Sequence, residues 1–123
     1  LELKNRFAFE HIGEIIKITE NIGQLENTIF ISFDYGNLTD VKKILPEQPV
    51  QFLTGEEVTD GLISRLAGVR IVIDIFYQGV YEENIKSLHD NCITVNCWTC
   101  DSPEEGEKLA GWGVDYITTN ILE

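Results

Sequence analysis

The feature of this sequence that most limits its fold is a regular alternation between short apolar runs and longer amphipathic segments. The apolar runs, of which "VRIVIDIFY" is the clearest, are rich in β-branched and aromatic residues and recur about every 20 residues. Segments such as "FEHIGEIIKITENIGQ" lie between them and carry apolar residues at helical spacing. Alternating strands and helices are typical of α/β proteins with a parallel sheet, and we count six strands and five helices.

Two architectures are compatible with this alternation. An open, doubly wound sheet suits a chain of 123 residues, whereas a complete (β/α)8 barrel needs about 250 residues. Length alone therefore favours the open sheet. No linker, low-complexity segment or charge run marks a boundary, so we expect a single domain over residues 1–123.

The net charge and the cysteines limit the classes of function that this chain can have. The formal net charge of −12 argues against a nucleic-acid partner, because such a chain repels polyphosphate. Cys97 and Cys100 have C-x-x-C spacing, but no second ligand pair follows, so we interpret the cysteines as structural thiols. No apolar run approaches the roughly 20 residues of a membrane span. We expect a cytoplasmic protein, or one attached to a membrane through an upstream segment.

The first residues, "LELKN", have the pattern of a strand that carries two charges on one face. Side chains alternate along a strand, so Glu2 and Lys4 share a face while Leu1, Leu3 and Asn5 take the other. This is either a frayed terminal strand or the edge of a larger structure in which the two charges line a site.

Four motifs in three segments together resemble the glycerophosphodiester phosphodiesterase family. "VNCWTCDSPEEGEKLAGWGVDYITTN", residues 95–120, is similar to the end of the family's domain, a "W-T" strand followed by "G-V-D-x-I-x-T-D/N". "ISFDYGNLTDVKKILPEQPVQFLT" is similar to the family's "S-F" segment, and "LELK" resembles its "E-x-K" strand. The resemblance runs in order along the whole chain.

The resemblance implies a partial (β/α)8 TIM barrel, with about six of the eight strands, rather than the open doubly wound sheet. "LELK" would be the third strand, and the chain would be the C-terminal portion of a barrel that lacks its first two strands. The family's H-R-G motif and E-x-D pair are absent from the chain. The implied partners are therefore the missing N-terminal barrel segment and a small glycerophosphodiester substrate.

The implied activity is metal-dependent hydrolysis of glycerophosphodiesters to glycerol 3-phosphate and an alcohol, a reaction of lipid metabolism. By this resemblance Glu2 is a ligand of a divalent cation, Ca²⁺ or Mg²⁺, and Lys4 is catalytic through its charge near the phosphate. Trp98 and Ser32 are predicted to bind substrate. The family's proton-transferring histidines belong to the absent H-R-G region, and one carboxylate alone does not hold such an ion tightly, so we expect the isolated chain to be inactive.

Weaker candidates lie at other strand ends. Asp34, Asp74, Thr119 and Asn120 are predicted to line the pocket, and Asp74 would need a partner to tolerate burial. His11 and His89 fall in helical segments among polar residues, and we interpret both as surface residues. Two other hypotheses remain open at this point, a stand-alone open-sheet binding module and a barrel-derived interaction segment.

Overall fold

A computed structural model of the chain describes residues 1–121 and contains five α-helices and five short strands. The helices are α1 (Phe9–Asn21), α2 (Tyr35–Ile44), α3 (Asp60–Val69), α4 (Glu82–Asp90) and α5 (Pro103–Gly111). The strands are β1 (Phe30–Ser32), β2 (Val50–Thr54), β3 (Val72–Phe76), β4 (Val95–Trp98) and β5 (Tyr116–Ile117). Leu25–Asn27 and Tyr77–Gly79 form short 3₁₀ turns. The chain divides into two compact units, of which the second starts at Leu53.

The first unit contains a parallel pair of strands, with α2 packed on β1 and α1 packed on α2. β1 pairs with β2 from Phe30 opposite Val50 to Ser32 opposite Phe52. The predicted first strand, "LELK", forms a single bridge between Glu2 and Ile31. The bridge is parallel, with Leu3 N–H donating to Ile31 O at 2.8 Å and Ile31 N–H donating to Leu1 O at 2.9 Å.

The second unit contains three parallel strands with two different faces. β3 pairs with β4 from Ile73 opposite Val95 to Phe76 opposite Trp98, and β4 pairs with β5. Ile73, Ile75, Val95 and Cys97 share the apolar face and are almost fully buried. The other face carries Asp74 and Phe76 beside their register partners on β4. Alternation along each strand therefore separates an apolar face from one that carries polar and aromatic groups.

Helix boundaries follow local capping chemistry. Ser102 caps α5, since its hydroxyl accepts the Glu105 N–H at 3.4 Å, and Pro103 occupies the first helical position. α3 begins at Asp60 because the Thr59 hydroxyl caps it by accepting the Leu62 N–H at 3.2 Å. Each strand is shorter than its apolar run. No helix within residues 1–121 is long and apolar enough to cross a bilayer.

Candidate functional site

The structure places Glu2 and Lys4 on one open face of the first unit, as the alternation predicted. The Lys4 Nζ lies 4.0 Å from a Glu2 carboxylate oxygen, and their side chains are 77% and 35% exposed respectively. Leu3, between them, points the other way and is buried. An ammonium and a carboxylate are thus held side by side in contact with solvent, where both can meet a charged ligand.

Ser32 is buried, and its hydroxyl is engaged within the protein. It donates to Leu3 O at 2.6 Å and accepts from the Asp34 N–H at 3.0 Å and from Asn37 Nδ2 at 3.2 Å. Asp34, a predicted pocket residue, caps α2 by accepting the Asn37 N–H at 3.2 Å. These contacts fasten the "LELK" segment to β1, so Ser32 acts on Glu2 and Lys4 by fixing the backbone between them.

The sequence analysis missed Asn37, which is the centre of this attachment. Its Nδ2 donates to Asn5 O at 2.8 Å, and its Oδ1 accepts from Arg6 Nη1 and the Phe7 N–H, each at 3.0 Å. Asn37 is completely buried, so its amide needs these partners. In the sequence, an asparagine at the start of α2 is only a weak signal of such an attachment, because Ser, Asn and Asp are common at helix starts for capping alone.

Asp40, one helical turn after Asn37, is a buried carboxylate that the sequence analysis also missed. Arg6 Nη2 lies 2.6 Å and Lys43 Nζ 2.9 Å from its two oxygens. Burial raises the pKa of Asp40, but the hydrogen bonds and charges of Lys43 and Arg6 outweigh it and lower the pKa below its ordinary value. Asp40 therefore stays ionised and holds Arg6 beside the end of the "LELK" segment.

In the second unit, Asp74 and Trp98 lie on the polar and aromatic face. Asp74 is 4% exposed, and its Oδ1 has no hydrogen-bond partner among the described residues. Burial raises the pKa of Asp74 from 3.8 to about 6. The Trp98 indole N–H donates to the main-chain oxygen of Asp74 at 2.8 Å, and the Trp98 ring packs on Phe76 with centroids 5.2 Å apart. The predicted burial of Asp74 is confirmed, and its carboxylate Oδ1 is unsatisfied.

Thr119 and Asn120, both predicted pocket residues, are held by Asp101. Its Oδ1 accepts from the Thr119 hydroxyl at 3.0 Å and the Asn120 N–H at 2.8 Å, and its Oδ2 accepts from Asn120 Nδ2 at 3.1 Å. These hydrogen bonds lower the pKa of the Asp101 carboxyl. The sequence analysis did not single out Asp101, whose partners lie 18 and 19 residues further along the chain.

The two histidines and the C-x-x-C pair have different surroundings from the residues described above. His11 is exposed, and His89 Nε2 lies 2.9 Å from Asp115 Oδ2, which also accepts the Val95 N–H at 2.8 Å. Cys97 and Cys100 are buried free thiols, and burial raises the pKa of Cys97 to about 12. A thiol with so high a pKa is not a nucleophile at neutral pH.

The described residues do not by themselves form a complete site for the divalent cation that the resemblance implied. Within residues 1–121 there is no group of three or more His, Cys, Asp or Glu side chains that could hold a metal ion. Ca²⁺ takes about six to eight oxygen ligands and Mg²⁺ about six, so the Glu2 carboxylate can provide one ligand but not the site.

Comparison with known proteins identifies the relatives of this chain. Residues 4–123 match the Glycerophosphoryl diester phosphodiesterase family. A glycerophosphodiester phosphodiesterase of Caldanaerobacter subterraneus subsp. tengcongensis is 26% identical over 110 residues, which cover 89% of this chain and 45% of that protein. The chain thus spans less than half the length of this curated relative.

Solved structures from the same class of protein are also covered over only about half of their length. A glycerophosphodiester phosphodiesterase from Parabacteroides distasonis superposes with a TM-score of 0.78 at 24% identity, covering 96% of this chain and 51% of that one. An Oleispira antarctica phosphodiesterase in complex with sn-glycerol-3-phosphate gives 0.75 at 18% identity, covering 97% and 50%. The expected partial barrel is confirmed over the open-sheet alternative. The chain belongs to the glycerophosphoryl diester phosphodiesterase family.

Proposed function

We propose that the complete protein hydrolyses glycerophosphodiesters, releasing glycerol 3-phosphate and an alcohol. The observation that carries the proposal is the family match, which starts at Lys4 and continues to residue 123. The Oleispira antarctica relative supports it, because that structure holds sn-glycerol-3-phosphate as a product. Since this chain spans 45% of its curated relative, the proposal concerns the whole protein rather than this chain alone.

In this proposal Lys4 is the residue of the chain that acts on the reacting phosphate. Its ammonium is exposed and lies at the same open face as Glu2. A cation placed at a phosphodiester stabilises the negative charge that develops in the transition state, and this effect is among the largest in phosphate chemistry. The rest of the chain is strongly acidic, so Lys4 provides positive potential where the substrate needs it.

Glu2, Trp98 and Ser32 have supporting roles in the proposal. Glu2 offers one oxygen ligand to a divalent cation, Ca²⁺ or Mg²⁺, which when bound polarises the phosphate. Trp98 provides an aromatic wall whose orientation is fixed by its hydrogen bond to Asp74 O. Ser32 positions Glu2 and Lys4 through Leu3 O, because its buried hydroxyl is already engaged.

The proposal assigns proton transfer and the remaining metal ligands to residues outside this chain. The sequence contains neither H-R-G nor an E-x-D pair, the motifs that carry these roles in the family it resembles. Positioned acids and bases contribute about 10²- to 10⁴-fold each. The isolated chain, given glycerophosphocholine with Ca²⁺ or Mg²⁺, should therefore release no glycerol 3-phosphate, and turnover by it would refute this division of roles.

The role of Lys4 is tested in the complete enzyme with Lys4→Ala and, as a matched control, Lys17→Ala on the exposed surface of α1. We expect kcat for glycerophosphocholine to fall about 10²- to 10³-fold for Lys4→Ala, because the lost charge stabilises the transition state. Lys17→Ala should leave kcat unchanged. Equal activity of the two variants would remove Lys4 from the mechanism.

A further inference from the structure

Two cavities of the second unit meet at the exposed ring of Tyr81. The first cavity, of about 500 Å³, is lined by three glutamates, Glu56, Glu57 and Glu83. The second, of about 290 Å³, lies between residues 77–81 and α5 and includes Trp112. Tyr81 is 57% exposed and lines both cavities, so they join into one groove with an acidic end and an aromatic end. We call this surface the Tyr81 groove.

The aromatic end of the Tyr81 groove combines ring surfaces with an unused hydrogen-bond donor. Tyr77 and Trp112 line it together with Tyr81. Lys108 Nζ lies 4.7 Å from the Trp112 ring centroid and 3.4 Å from a Glu105 carboxylate oxygen, so this ammonium is already paired. The Trp112 indole N–H forms no hydrogen bond within the described part of the chain. It is therefore available to an acceptor on a ligand.

The main chain of Tyr81 is fixed although its ring is exposed. The Tyr81 N–H donates to Asn84 Oδ1 at 2.9 Å, and Asn84 Nδ2 donates to Gly79 O at 3.0 Å. These two bonds hold the start of α4 to the turn before it. A tyrosine side chain has only two rotatable bonds that place its ring, so little conformational entropy is lost when a ligand packs on it.

The acidic end of the Tyr81 groove carries carboxylates without a counter-charge. Glu56 lies 3.9 Å from Arg65 Nη2, whereas neither Glu57 nor Glu83 forms an ion pair with another residue among the described positions. The chain as a whole is also acidic, with a formal net charge of −12. Such a surface attracts a cationic group and repels an anionic one.

We propose that the Tyr81 groove binds a proline-rich segment of another protein in the polyproline II conformation, with a basic side chain at the acidic end. Segments of this kind dock in grooves lined by aromatic rings. Their carbonyl groups make no internal hydrogen bonds, and proline has no N–H, so they need donors more than acceptors. The Trp112 indole N–H is such a donor. Partner binding of this kind is a function in addition to the proposed hydrolysis and does not depend on it.

Other ways of binding a peptide fit this surface less well. Addition of a strand requires an open sheet edge, and every residue that lines the Tyr81 groove lies in a helix, a 3₁₀ turn or a loop. An amphipathic helix requires a long apolar groove for its row of apolar side chains. Here one end is acidic and the other contains the Glu105–Lys108 ion pair.

The test measures peptide binding to the complete protein by isothermal titration calorimetry at low ionic strength. The probe is acetyl-RPLPPLPR-amide, whose two arginines allow either direction of binding to place one at the acidic end. Acetyl-RALAALAR-amide lacks the prolines, and acetyl-EPLPPLPE-amide reverses the charges. We expect saturable binding of the probe and at least about tenfold weaker binding of each control, because the first loses the preformed polyproline II conformation and the second is repelled by the glutamates.

Substitution of Tyr81 locates the aromatic contact. Tyr81→Ala should weaken binding of the probe at least about tenfold, because aromatic anchors dominate interfaces of this kind. Tyr116→Ala, which removes a ring that is 63% exposed on β5, should leave the affinity unchanged.

A second pair of variants tests the acidic end without removing any ring. Glu57→Gln with Glu83→Gln should weaken binding of the probe about three- to tenfold and reduce its dependence on salt. Glu10→Gln with Glu14→Gln on the exposed surface of α1 is the control and should have no effect. No saturable binding of the probe at about 1 mM, equal binding of the three peptides, or equal effects of groove and control variants would each overturn the proposal.

Discussion

Two buried aspartates, one in each compact unit, show opposite electrostatic behaviour at almost the same burial. Asp40 in the first unit is 3% exposed and Asp74 in the second is 4% exposed. Arg6 and Lys43 bind the carboxylate of Asp40 and hold its pKa below the ordinary value. Asp74 has an oxygen without a partner among the described residues, and burial raises its pKa to about 6.

The comparison separates residues that stabilise the fold from a residue that the fold tolerates. In the first unit the buried polar groups Ser32, Asn37 and Asp40 all bond to protein atoms, so each contributes to holding the "LELK" segment. In the second unit Asp74 is buried at a cost that nothing in the described residues offsets. A buried polar group without a partner is rare in folded proteins and calls for a reason other than stability, of which ligand binding is one.

The largest effect that tests this comparison is expected from Asp74→Asn. The pKa of Asp74 is raised from 3.8 to about 6, so above that pH the ionised carboxylate destabilises the folded state, by about 3 kcal/mol at most. Because the asparagine amide also lacks partners, we expect the free energy of unfolding at about pH 8 to rise by roughly 2 kcal/mol. Urea denaturation measures it, with Asp90→Asn as the exposed control.

The pH dependence gives the same test a second readout. The folded state binds a proton at Asp74 at higher pH than the unfolded state, so this group makes the protein more stable as pH falls from about 6 toward 3.8. Asp74→Asn should remove that part of the pH dependence. A variant less stable than the unsubstituted chain at about pH 8 would show that Asp74 has a stabilising partner, and the contrast with Asp40 would be lost.

The substitution Asp40→Asn is expected to act in the opposite direction and somewhat less strongly. It leaves Arg6 and Lys43 without their carboxylate, but both side chains are about half or more exposed and can be hydrated. We expect a loss of about 1 to 2 kcal/mol in the free energy of unfolding near pH 7. Chemical denaturation checks it, with Glu14→Gln on the surface of α1 as the control.

Asp40 and Asp74 also contribute to the pH dependence of stability with opposite signs. Asp40 has a lowered pKa, so its stabilisation is present above 3.8 and is lost as pH falls through the lower folded value. The difference between Asp40→Asn and the unsubstituted chain should therefore shrink in acid. A difference that stays constant to about pH 2 would mean that the shape of Asp40, not its charge, matters.

The alternation of strands and helices and the cap of α5 could be predicted because they depend on neighbouring residues. Ser102 and Pro103 act within one turn of the helix they begin. Strand ends could not be placed as well, since pairing stops where the neighbouring strand stops. The "LELK" run therefore forms one bridge to Ile31 rather than a full strand.

The position of a site residue could be predicted where strand alternation alone determines the face of its side chain, as for Glu2 and Lys4. The burial of Asp74 could also be predicted. A site residue was not predictable where its partner is distant in sequence. Asn37 bonds to residues about 30 positions earlier, and Asp101 to residues 18 and 19 positions later. Such pairings depend on the tertiary fold, and no local sequence pattern predicts them.

The smallest expected effect concerns Asp115, a carboxylate that has partners at an exposed position. Its pKa is raised by partial burial but lowered overall by the Val95 N–H and His89, and the side chains of His89 and Asp115 are 38% and 37% exposed. Solvent screens a pair this exposed, so the coupling between His89→Ala and Asp115→Ala in a double-mutant cycle should be about 0.5 kcal/mol. His11→Ala, on an exposed helix face, paired with Asp115→Ala should give no coupling. A His89–Asp115 coupling as large as the effect of Asp40→Asn would mean that partners alone, without burial, account for the stabilisation we attribute to Asp40.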